Sequence, residues 1–506
     1  MELCDKYIHE LIKIDPTLND FFCIDKYKKF KHILPNPWSN KYSAKIYDLD
    51  EKYKKILEEK KDKTLYDKIF YRDLKNEEKQ ENILIYDYLP ITSDDNFFDI
   101  IISDINCKGY YEFKNANDID DYIKRLKVID EITDSIIKCF KDGIKNKVTM
   151  YVENLDLLIE SLHHILKNKL YIFKKNIPLK TKFNENIVKY VVKNINKLLD
   201  FLINEYYEHS SNKLGLCQYS QGKQLYKLII KDYLYDFVTP ENIHELGLTE
   251  CKRIKKEINK IKLNCNNGLI SDDKTVEFVK SLKNKLNNNL TKYFHKKLHK
   301  NNLYKVKINN LSNSGPYYQV SNMKNKKKGI FYIGTKLNKY ETKVLSLHEG
   351  LPGHHYQNFI NLNNDKMPLY MKYNSTIAYD EGWGLYCENL YDYKDLCEYY
   401  FKLNYDLLRC IRLVLDTGIH YFAWTKDDCL KFHKEYIGDL EECEYKRFID
   451  TPGRDLSYKI GELTIKFLRD KYLKKYPGKI KDFHELILNL GSLPLEYLIK
   501  EIKYRM

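Results

Sequence analysis

Apolar residues recur at intervals of three and four along most of the chain, and this periodicity constrains the fold more than any other feature of the sequence. Residues 148–167 and 187–210 are two long examples. The spacing places apolar side chains on one face of an α-helix. Gly (19) and Pro (12) are scarce among the 506 residues, which disfavours turn-rich β structure. The sequence therefore predicts a mostly α-helical protein.

Three short runs after residue 300 have the composition of β-strands instead. They are LYKVKI (303–308), PYYQV (316–320) and GIFYI (329–333), and clusters of Asn, Ser, Gly and Lys separate them. These runs predict a small antiparallel sheet. We expect residues 1–300 to form a helical region and residues 301–506 a region with the sheet and further helices, both within one continuous bilobed unit.

The formal net charge of +14, from 86 Lys and Arg against 72 Asp and Glu, raises the question of nucleic-acid binding. Acidic residues are interleaved almost everywhere, and Lys, Asn, Ile and Tyr are all abundant, as a biased base composition produces. A compact basic stripe with spaced aromatic residues is missing. We therefore do not expect nucleic acid to be a partner.

The cysteine pattern and the apolar segments bear on location. None of the 12 cysteines forms a C-x-x-C pair, and their irregular spacing predicts reduced thiols rather than a disulfide framework or a zinc ribbon. The first residues lack the apolar core of a signal peptide. No apolar run reaches the roughly 18 residues of a membrane helix. We expect a soluble, cytoplasmic protein without a membrane partner.

The stretch HEGLPGHH (348–355) carries residue types that bind zinc and activate water. On a straight helix His348 and His355 nearly align, and His354 lies off that face. However, Gly350, Pro352 and Gly353 disfavour a straight helix. A bulge of one or two residues would turn His354 toward His348. The residues alone leave both histidines open as the partner of His348.

A further ligand has to come from a neighbouring helix, because a catalytic zinc site uses two or three His or carboxylate ligands and keeps one position for water. The stretch EGWGLYCE supplies Glu381, 33 residues after His348, and Glu388, seven residues later on the same helical face. The alternative is that both are exposed helix acids. Trp383 and Tyr386 between them are expected to pack the helix.

Five blocks of sequence, taken together, resemble the domain of unknown function 885 family, whose members are described as zinc metallopeptidases with the pattern H-E-x-x-P-G-H. The blocks are LSLHEGLPGHHYQ, EGWGLYCE, RLVLDTGIHYFAWT, RFIDTPGRDLSYKIGE and DFHELILNLGSLPLEYL. The stretch 215–248 is also similar, and the first two hundred residues match only in helical character. The resemblance implies a mostly helical, zincin-like fold of the carboxypeptidase and oligopeptidase branch.

The resemblance also implies a ligand set for one Zn²⁺ per chain: His348, His354 and Glu381. His355 is the alternative to His354. Glu349 matches the general base that takes a proton from water. Glu388 is expected to contact a metal ligand rather than the metal itself, or to have only a structural role.

Further matched residues suit the stabilisation and binding of a substrate. Tyr458 and His420 are candidates to donate to the oxyanion that peptide hydrolysis creates. Asp416, four residues before His420 on a helix, is expected to pair with it and fix its tautomer. Arg412 either pairs with Asp416 or, like Arg454, binds the C-terminal carboxylate of a peptide.

The function that these expectations support is a zinc-dependent metallopeptidase acting on short peptides. In related architectures helices such as those of residues 1–300 roof the cleft, and an edge strand holds an extended substrate. Two alternatives remain. The same apparatus serves metal hydrolases of other amides or esters, and a basic helical protein without enzymatic activity is the second alternative.

Overall fold

The structure is a computed structural model of the chain. It describes residues 2–93, 96–261, 268–308, 315–324, 329–334, 338–438 and 442–506, without the side chains of residues 272–273 and 442–444. The described part is mostly helical, as the sequence predicts.

The α-helices of the described residues, in chain order, are α1 (Leu3–Ile14), α2 (Asn19–Phe22), α3 (Asn40–Glu59), α4 (Leu65–Glu81), α5 (Phe97–Ile105), α6 (Ala116–Leu126), α7 (Ile129–Asn146), α8 (Val152–Lys167), α9 (Lys180–Ile187), α10 (Lys193–Phe201), α11 (Gly222–Tyr233), α12 (Pro240–Ile258), α13 (Asp272–Asn289), α14 (Lys339–Leu345), α15 (His354–Asn363), α16 (Leu369–Tyr373), α17 (Ile377–Glu388), α18 (Leu396–His420), α19 (Lys426–Tyr436), α20 (Glu442–Asp450), α21 (Leu456–Lys475), α22 (Ile480–Leu490) and α23 (Leu495–Arg505).

Local sequence signals account for several of these boundaries. Helix α12 begins at Pro240, and the Thr239 side chain accepts a hydrogen bond from the backbone N–H of Asn242. Threonine satisfies an N–H that the first helical turn leaves without a partner, and proline loses nothing there. Helix α22 ends at Leu490, and Gly491 directly after it has a positive φ of 80°.

The three β-type runs do form strands, but the predicted antiparallel sheet is wrong. The strands are β1 (Lys305–Ile308), β2 (Tyr317–Gln319) and β3 (Ile330–Ile333), in the order β1-β3-β2. Strand β2 pairs with β3 antiparallel, whereas β1 pairs with the other edge of β3 in parallel. The sheet is therefore mixed. Composition identifies strands, but which edge of β3 the strand β1 joins depends on the long connection between them.

The chain separates into two compact units, neither of which is continuous in sequence. The first comprises Met1–Leu228, Ile419–Asp427 and Glu441–Pro452, and the second comprises Ile229–Gly418, Asp428–Leu440 and Gly453–Met506. Residue 300, the boundary expected from the sequence, lies inside the second unit. The division into a roofing and a catalytic region stays a prediction.

The first unit is built around an apolar core of helical side chains, including the fully buried Phe98, Ile119, Leu158 and Leu198. They come from α5, α6, α8 and α10 and follow the periodicity that predicted these helices. Each buried side chain of this size contributes roughly 1.5–3 kcal/mol relative to an exposed one.

In the second unit, helices α17 and α21 pack with their backbones in close contact. A Cβ atom added at Gly382 would collide with the backbone of Gly461, and one added at Gly461 would collide with the carbonyl oxygen of Ala378. Only glycine permits this approach. The contact brings the carboxylates of α17 and the side chains at the start of α21 into one region.

Two expectations drawn from composition can be compared with the described residues. No helix in the described part is both long enough and apolar enough to cross a membrane. Cys397 is disulfide-bonded, which corrects the expectation that all thiols are reduced. Disulfide formation depends on the distance between two cysteines in the fold, and sequence spacing does not report that distance. Cys265 and the side chain of Cys443 lie outside the described residues.

Candidate metal centre

The backbone of the HEGLPGHH stretch does not continue as one helix. After α14 ends at Leu345, residues Ser346–Gly350 form a single wide π-helical turn, in which the N–H of Leu351 bonds to the carbonyl of Ser346 at 3.1 Å. Helix α15 then begins at His354. Wide turns of this kind recur at functional sites because they re-aim one side chain within a helix.

The wide turn brings His348 and His354 side by side. Their ring centroids are 4.7 Å apart, and the rings are nearly perpendicular. Nε2 of His348 lies 3.2 Å from Oε2 of Glu381, and Nε2 of His354 lies 3.5 Å from the same oxygen. One possible ligand atom from each of the three residues lies within 4.8 Å of the others. Among the described residues, this is the only such group of three His, Cys, Asp or Glu side chains.

The donor set of this cluster fits zinc. Two imidazole nitrogens and one carboxylate oxygen form a ligand set that catalytic zinc sites use, and three protein ligands leave a fourth position open. His348 is buried, and His354 and Glu381 are partly accessible. Whether the protein binds zinc stays a prediction.

The pKa values of His348, His354 and Glu381 are shifted because the three side chains lie close together. Burial opposes the charged form of His348, but hydrogen bonds with Glu381 and Glu388 outweigh it and raise its pKa to about 10. Burial likewise opposes the charge on His354, and the bond to Glu381 raises the pKa of this histidine. Burial opposes the charge on Glu381, yet the two histidines hold its pKa well below its usual range.

Glu388 supports the cluster from the next turns of α17. Its Oε1 atom lies 2.9 Å from Nδ1 of His348 and 3.5 Å from a guanidinium nitrogen of Arg409. A carboxylate in this position fixes the imidazole ring so that its other nitrogen faces the metal ligands. The seven-residue spacing between Glu381 and Glu388 places both on the face of α17 that meets His348.

Gly384, one of two glycines between these carboxylates, is required by the packing of α17 on His348. A Cβ atom added at Gly384 would lie 2.5 Å from Cε1 of His348. Trp383 beside it is completely buried, and its indole N–H donates to the carbonyl of Pro352 at 3.0 Å. Helix α17 therefore packs directly on the connection between His348 and His354.

Glu349 lies next to His348 on the wide turn and is nearly buried. Its Oε2 atom accepts a hydrogen bond from the backbone N–H of Tyr318, on strand β2, at 2.9 Å. Burial raises the pKa of Glu349, and the charges of His348 and His354 oppose that rise. A carboxyl group with a raised pKa, beside a candidate metal site, is suited to accept and return a proton.

His355 faces away from the cluster. Its Nε2 atom lies 2.9 Å from the carbonyl oxygen of Asn302, and its Nδ1 atom lies 3.0 Å from the hydroxyl of Tyr318. Burial lowers its pKa to about 4, so the ring is neutral, with Nε2–H donating and Nδ1 accepting. Of the two histidines that the residues left open, the structure brings only His354 to His348 and Glu381.

Tyr458 and Arg412 lie beside the cluster. The ring of Tyr458, on α21, is nearly parallel to the ring of His348 with centroids 6.5 Å apart. The guanidinium of Arg412 lies 5.4 Å from the centroid of the Tyr458 ring and donates to Asp455 at 3.3 Å. The position of Tyr458 suits an oxyanion donor. Arg412 therefore pairs with Asp455, and the suggested pairing with Asp416 stays a prediction.

The expectation that His420 donates to an oxyanion is wrong. This histidine belongs to the first unit, is completely buried, and stacks on Tyr226 with ring centroids 5.3 Å apart. Its Nε2–H donates to the carbonyl of Phe448 at 2.7 Å, and its Nδ1 accepts from the N–H of Leu216 at 3.0 Å. Burial lowers its pKa to about 4. Neither ring nitrogen has a proton left to donate to a substrate.

The expected pair between Asp416 and His420 is wrong for the same reason, because backbone groups hold the tautomer of the histidine. The Asp416 carboxylate accepts from the N–H of Gly453 at 3.1 and 3.0 Å, which anchors the turn before α21. The next residue, Arg454, is half-buried. Burial raises the pKa of Tyr233, and the charge of Arg454 opposes that rise. Arg454 therefore lies near Tyr233, and its binding of a substrate carboxylate stays a prediction.

The structure adds residues that reasoning from the sequence missed. Arg409 contacts Glu388, and its position three residues before Arg412 on α18 was the available signal. Tyr318 bonds to both Glu349 and His355, and the strand just before the motif was its only signal. The carbonyl of Asn302 carries no sequence signal, because every residue has one.

Comparisons with known proteins identify one family and show a similar fold in solved structures. A family model described as "Bacterial protein of unknown function (DUF885)" matches residues 26–502. The fold is similar to a putative lipoprotein from Colwellia psychrerythraea, with 19% identity, a TM-score of 0.87, and coverage of 99% of this chain and 98% of that one. It is also similar to a putative lipoprotein of unknown function from Shewanella oneidensis, with 16% identity, a TM-score of 0.69, and 98% coverage of both chains. The curated proteins contain no match.

These comparisons overturn the expected cytoplasmic location. Both of these structures are described as putative lipoproteins, and an attached lipid holds a lipoprotein at a membrane surface. The expectation rested on the lack of an apolar leader and of a long apolar run. A covalent lipid anchor requires no apolar run of roughly 18 residues, so the second criterion does not address it.

Proposed function

From the premise that the chain belongs to the DUF885 family, we propose that this protein is a zinc-dependent metallopeptidase. The observation that carries the proposal is the convergence of His348, His354 and Glu381, with possible ligand atoms within 4.8 Å of one another. The nearly buried Glu349, next in sequence to His348, supplies a candidate base beside that cluster.

His348, His354 and Glu381 would hold the metal. A zinc ion bound there would supply Lewis-acid activation of water and polarisation of a carbonyl oxygen. Glu388 keeps Nδ1 of His348 occupied, at 2.9 Å, so that Nε2 faces Glu381. Glu349 takes a proton from the attacking water and returns it to the leaving amine, which is the task of a general base near a hydrolytic site.

Tyr458 and the arginines are suited to the substrate. The hydroxyl of Tyr458 would donate to the oxygen that becomes negative as water adds to the carbonyl, a contact that strengthens in the transition state. Arg412, beside the Tyr458 ring, and Arg454 are the candidates for a C-terminal carboxylate. Strand β2, whose Tyr318 N–H bonds to Glu349, is suited to pair with an extended peptide.

The substrate class that we propose is short peptides. Glu349 is nearly buried, and His354 and Glu381 are only partly accessible, so a folded protein chain cannot reach the cluster without rearrangement. A short, unstructured peptide can enter as a single strand. Non-peptide amides and esters, assayed in parallel with the peptides, test the alternative substrates.

The experiment combines metal analysis with a peptide assay. The chain, purified without a metal-affinity tag, should contain about one zinc ion, as expected for three protein ligands at one site. His348→Ala and His354→Ala should lose the metal, whereas His355→Ala should retain it. The parent protein should cleave members of a mixture of short peptides, read by mass spectrometry, and Glu349→Gln should retain zinc but lose turnover.

Opposite results have distinct meanings. Zinc that survives in His354→Ala but not in His355→Ala would reject the ligand set. Turnover that persists in Glu349→Gln would reject the base. A protein that takes up no zinc after zinc is added back would reject the proposed function, and retention on DNA or heparin that weakens steeply with salt would then support the binding-protein alternative.

A further inference from the structure

The orientation of the Glu349 carboxylate in the proposed site is set by its hydrogen bonds. Rotation about the last bond of a glutamate side chain has broad, shallow preferences, so hydrogen bonds decide which way the oxygens point. The backbone N–H of Tyr318 donates to Oε2 of Glu349 at 2.9 Å. The orientation of the base therefore depends on the position of strand β2.

Strand β2 by itself is a weak support. It has three residues, lies at an edge of the sheet, and is paired with β3 among the described strands. Short edge strands have few ladder hydrogen bonds to hold them. A base oriented by such a strand needs a second anchor.

The hydroxyl of Tyr318 provides that anchor. It lies 3.0 Å from Nδ1 of His355, whose Nε2 in turn lies 2.9 Å from the carbonyl oxygen of Asn302. A carbonyl oxygen only accepts, so Nε2 carries the proton, Nδ1 accepts, and the Tyr318 hydroxyl donates. The imidazole is buried, and the ring of Tyr304 packs edge-on against it with centroids 5.1 Å apart. In this series of hydrogen bonds, Tyr318 therefore donates to His355, and His355 donates to Asn302.

We propose that His355 is a positioning residue for the base: it holds the Tyr318 side chain, and the Tyr318 backbone N–H holds the Glu349 carboxylate. His354 and His355 are adjacent at the start of α15 and point to different partners. One helix terminus therefore contributes both a metal ligand and the anchor of the base. A shift of α15 moves the ligand and the base together, which preserves their relative geometry. This inference rests on the proposed function.

Two substitutions at His355 separate positioning from structural support. Glutamine places an amide N–H near the position of Nε2, so His355→Gln keeps the donor for Asn302 and loses the acceptor for Tyr318. Asparagine places its oxygen near Nδ1, so His355→Asn keeps the acceptor for Tyr318 and loses the donor for Asn302. A positioning role makes His355→Gln the more damaging change to turnover. If His355 only supports the structure, His355→Gln should not reduce turnover more than His355→Asn.

The expected result is a kcat lower by about tenfold or more in His355→Gln and in Tyr318→Phe, with KM within about twofold and zinc content unchanged. His355→Asn should retain more of the parent kcat than His355→Gln. The double variant should lose no more than either single variant, because both remove one contact. Tyr504→Phe, on α23 at a residue that is 87% exposed, is the control and should keep the parent rate.

Hydrogen exchange gives a readout that does not need turnover. Loss of the anchor should speed exchange of the Tyr318 amide, measured by mass spectrometry on the segment of β2, in His355→Gln and Tyr318→Phe but not in Tyr504→Phe. A parent protein that cleaves peptides, with variants that match it in kcat and exchange, would overturn this inference and leave the proposed function intact. A parent protein with zinc and no hydrolytic activity would overturn both.

Discussion

Nδ1 of His348 lies 2.9 Å from Oε1 of Glu388, and only 3% of His348 and 2% of Glu388 is exposed. A histidine whose second nitrogen faces a buried carboxylate has its ring orientation fixed and its basicity raised. This pairing is the arrangement expected of a histidine ligand in the proposed metal site.

Glu388→Gln tests the role of that carboxylate. Glutamine can still accept from Nδ1, so the ring keeps its orientation, but the negative charge is lost. We expect zinc affinity to fall by roughly 10- to 100-fold, as measured by competition with a chelator. Glu485→Gln, at a side chain that is 60% exposed, should bind zinc like the parent. Equal affinity in Glu388→Gln and the parent would contradict this role.

Gly384→Ala tests the close approach of α17 to the ligand. The added Cβ atom would lie 2.5 Å from Cε1 of His348, which is closer than two carbon atoms can approach, so the ring must move. We expect loss of zinc from the purified variant, while circular dichroism still shows a helical fold. Gly315→Ala is the control, because a Cβ there meets no described atom within 4 Å. If Gly384→Ala contained as much zinc as the parent protein, the contact between residue 384 and His348 would not limit metal binding.

Lys459→Met tests a buried ion network next to Tyr458 on α21. The Lys459 ammonium lies 2.6 Å from Asp406 and 2.8 Å from Glu462, and its side chain is 0% exposed. Removal of the cation takes the shortest ion pair from the buried Asp406, whose other cation, Lys402, lies 3.5 Å away. We therefore expect the free energy of unfolding to fall by about 3–5 kcal/mol. Urea denaturation at pH 7 measures the loss.

The control for this change is Lys474→Met, at an exposed position of the same helix. It should alter the free energy of unfolding by less than about 0.5 kcal/mol. A similar small change in Lys459→Met would mean that water or neighbouring cations compensate the carboxylates.

His484 should make the protein sensitive to acid. Burial lowers the pKa of this fully buried histidine from 6.5 to about 4, and it is held neutral between the carbonyl of Tyr293 (2.8 Å) and the hydroxyl of Tyr386 (2.7 Å). Because the unfolded state takes up the proton first, stability is full above pH 6.5 and falls as the pH drops toward 4. The slope is up to about 1.4 kcal/mol per pH unit.

His484→Asn removes this titration and keeps a donor near Nδ1 for the Tyr293 carbonyl. Between pH 6.5 and 4.5 its free energy of unfolding should fall by about 2 kcal/mol less than that of the parent. The exposed His163→Asn, on α8, serves as the control and should keep the parent pH dependence. An unchanged slope in His484→Asn would show that other groups dominate acid unfolding.

Reasoning from residues predicted the helices well, because the hydrophobic period is a local property. Helix α8 (Val152–Lys167) and the cap at Thr239 follow directly from spacing and residue type. The order of strands β1, β3 and β2 did not follow, because pairing depends on where a long connection leads.

The candidate site likewise includes some residues that the sequence identified and others whose contacts it did not predict. His348, Glu349 and Glu381 stand out in the sequence because their residue types and spacing suit metal chemistry, and the choice between His354 and His355 depended on a resemblance. The expectation for His420 was wrong. A spacing of four residues on a helix shows that His420 could contact Asp416, but it does not show which other groups hydrogen-bond to the imidazole ring of His420. Here those groups are the backbone of Leu216 and Phe448.

Local residue patterns were enough to predict the helical class of the protein, the candidate metal ligands, and the interruption of the helix between His348 and His354. The packing of the chain shows which histidine lies beside Glu381, that Glu388 hydrogen-bonds to His348, and that the Tyr318 N–H orients Glu349. These contacts do not follow from local patterns, because periodicity and turn chemistry act over a few neighbouring residues. The hydrogen bonds of Tyr318 with Glu349 and of His348 with Glu381 and Glu388 join residues that lie 31 to 40 positions apart, and the packing of the helices and the sheet brings their atoms within 3.2 Å.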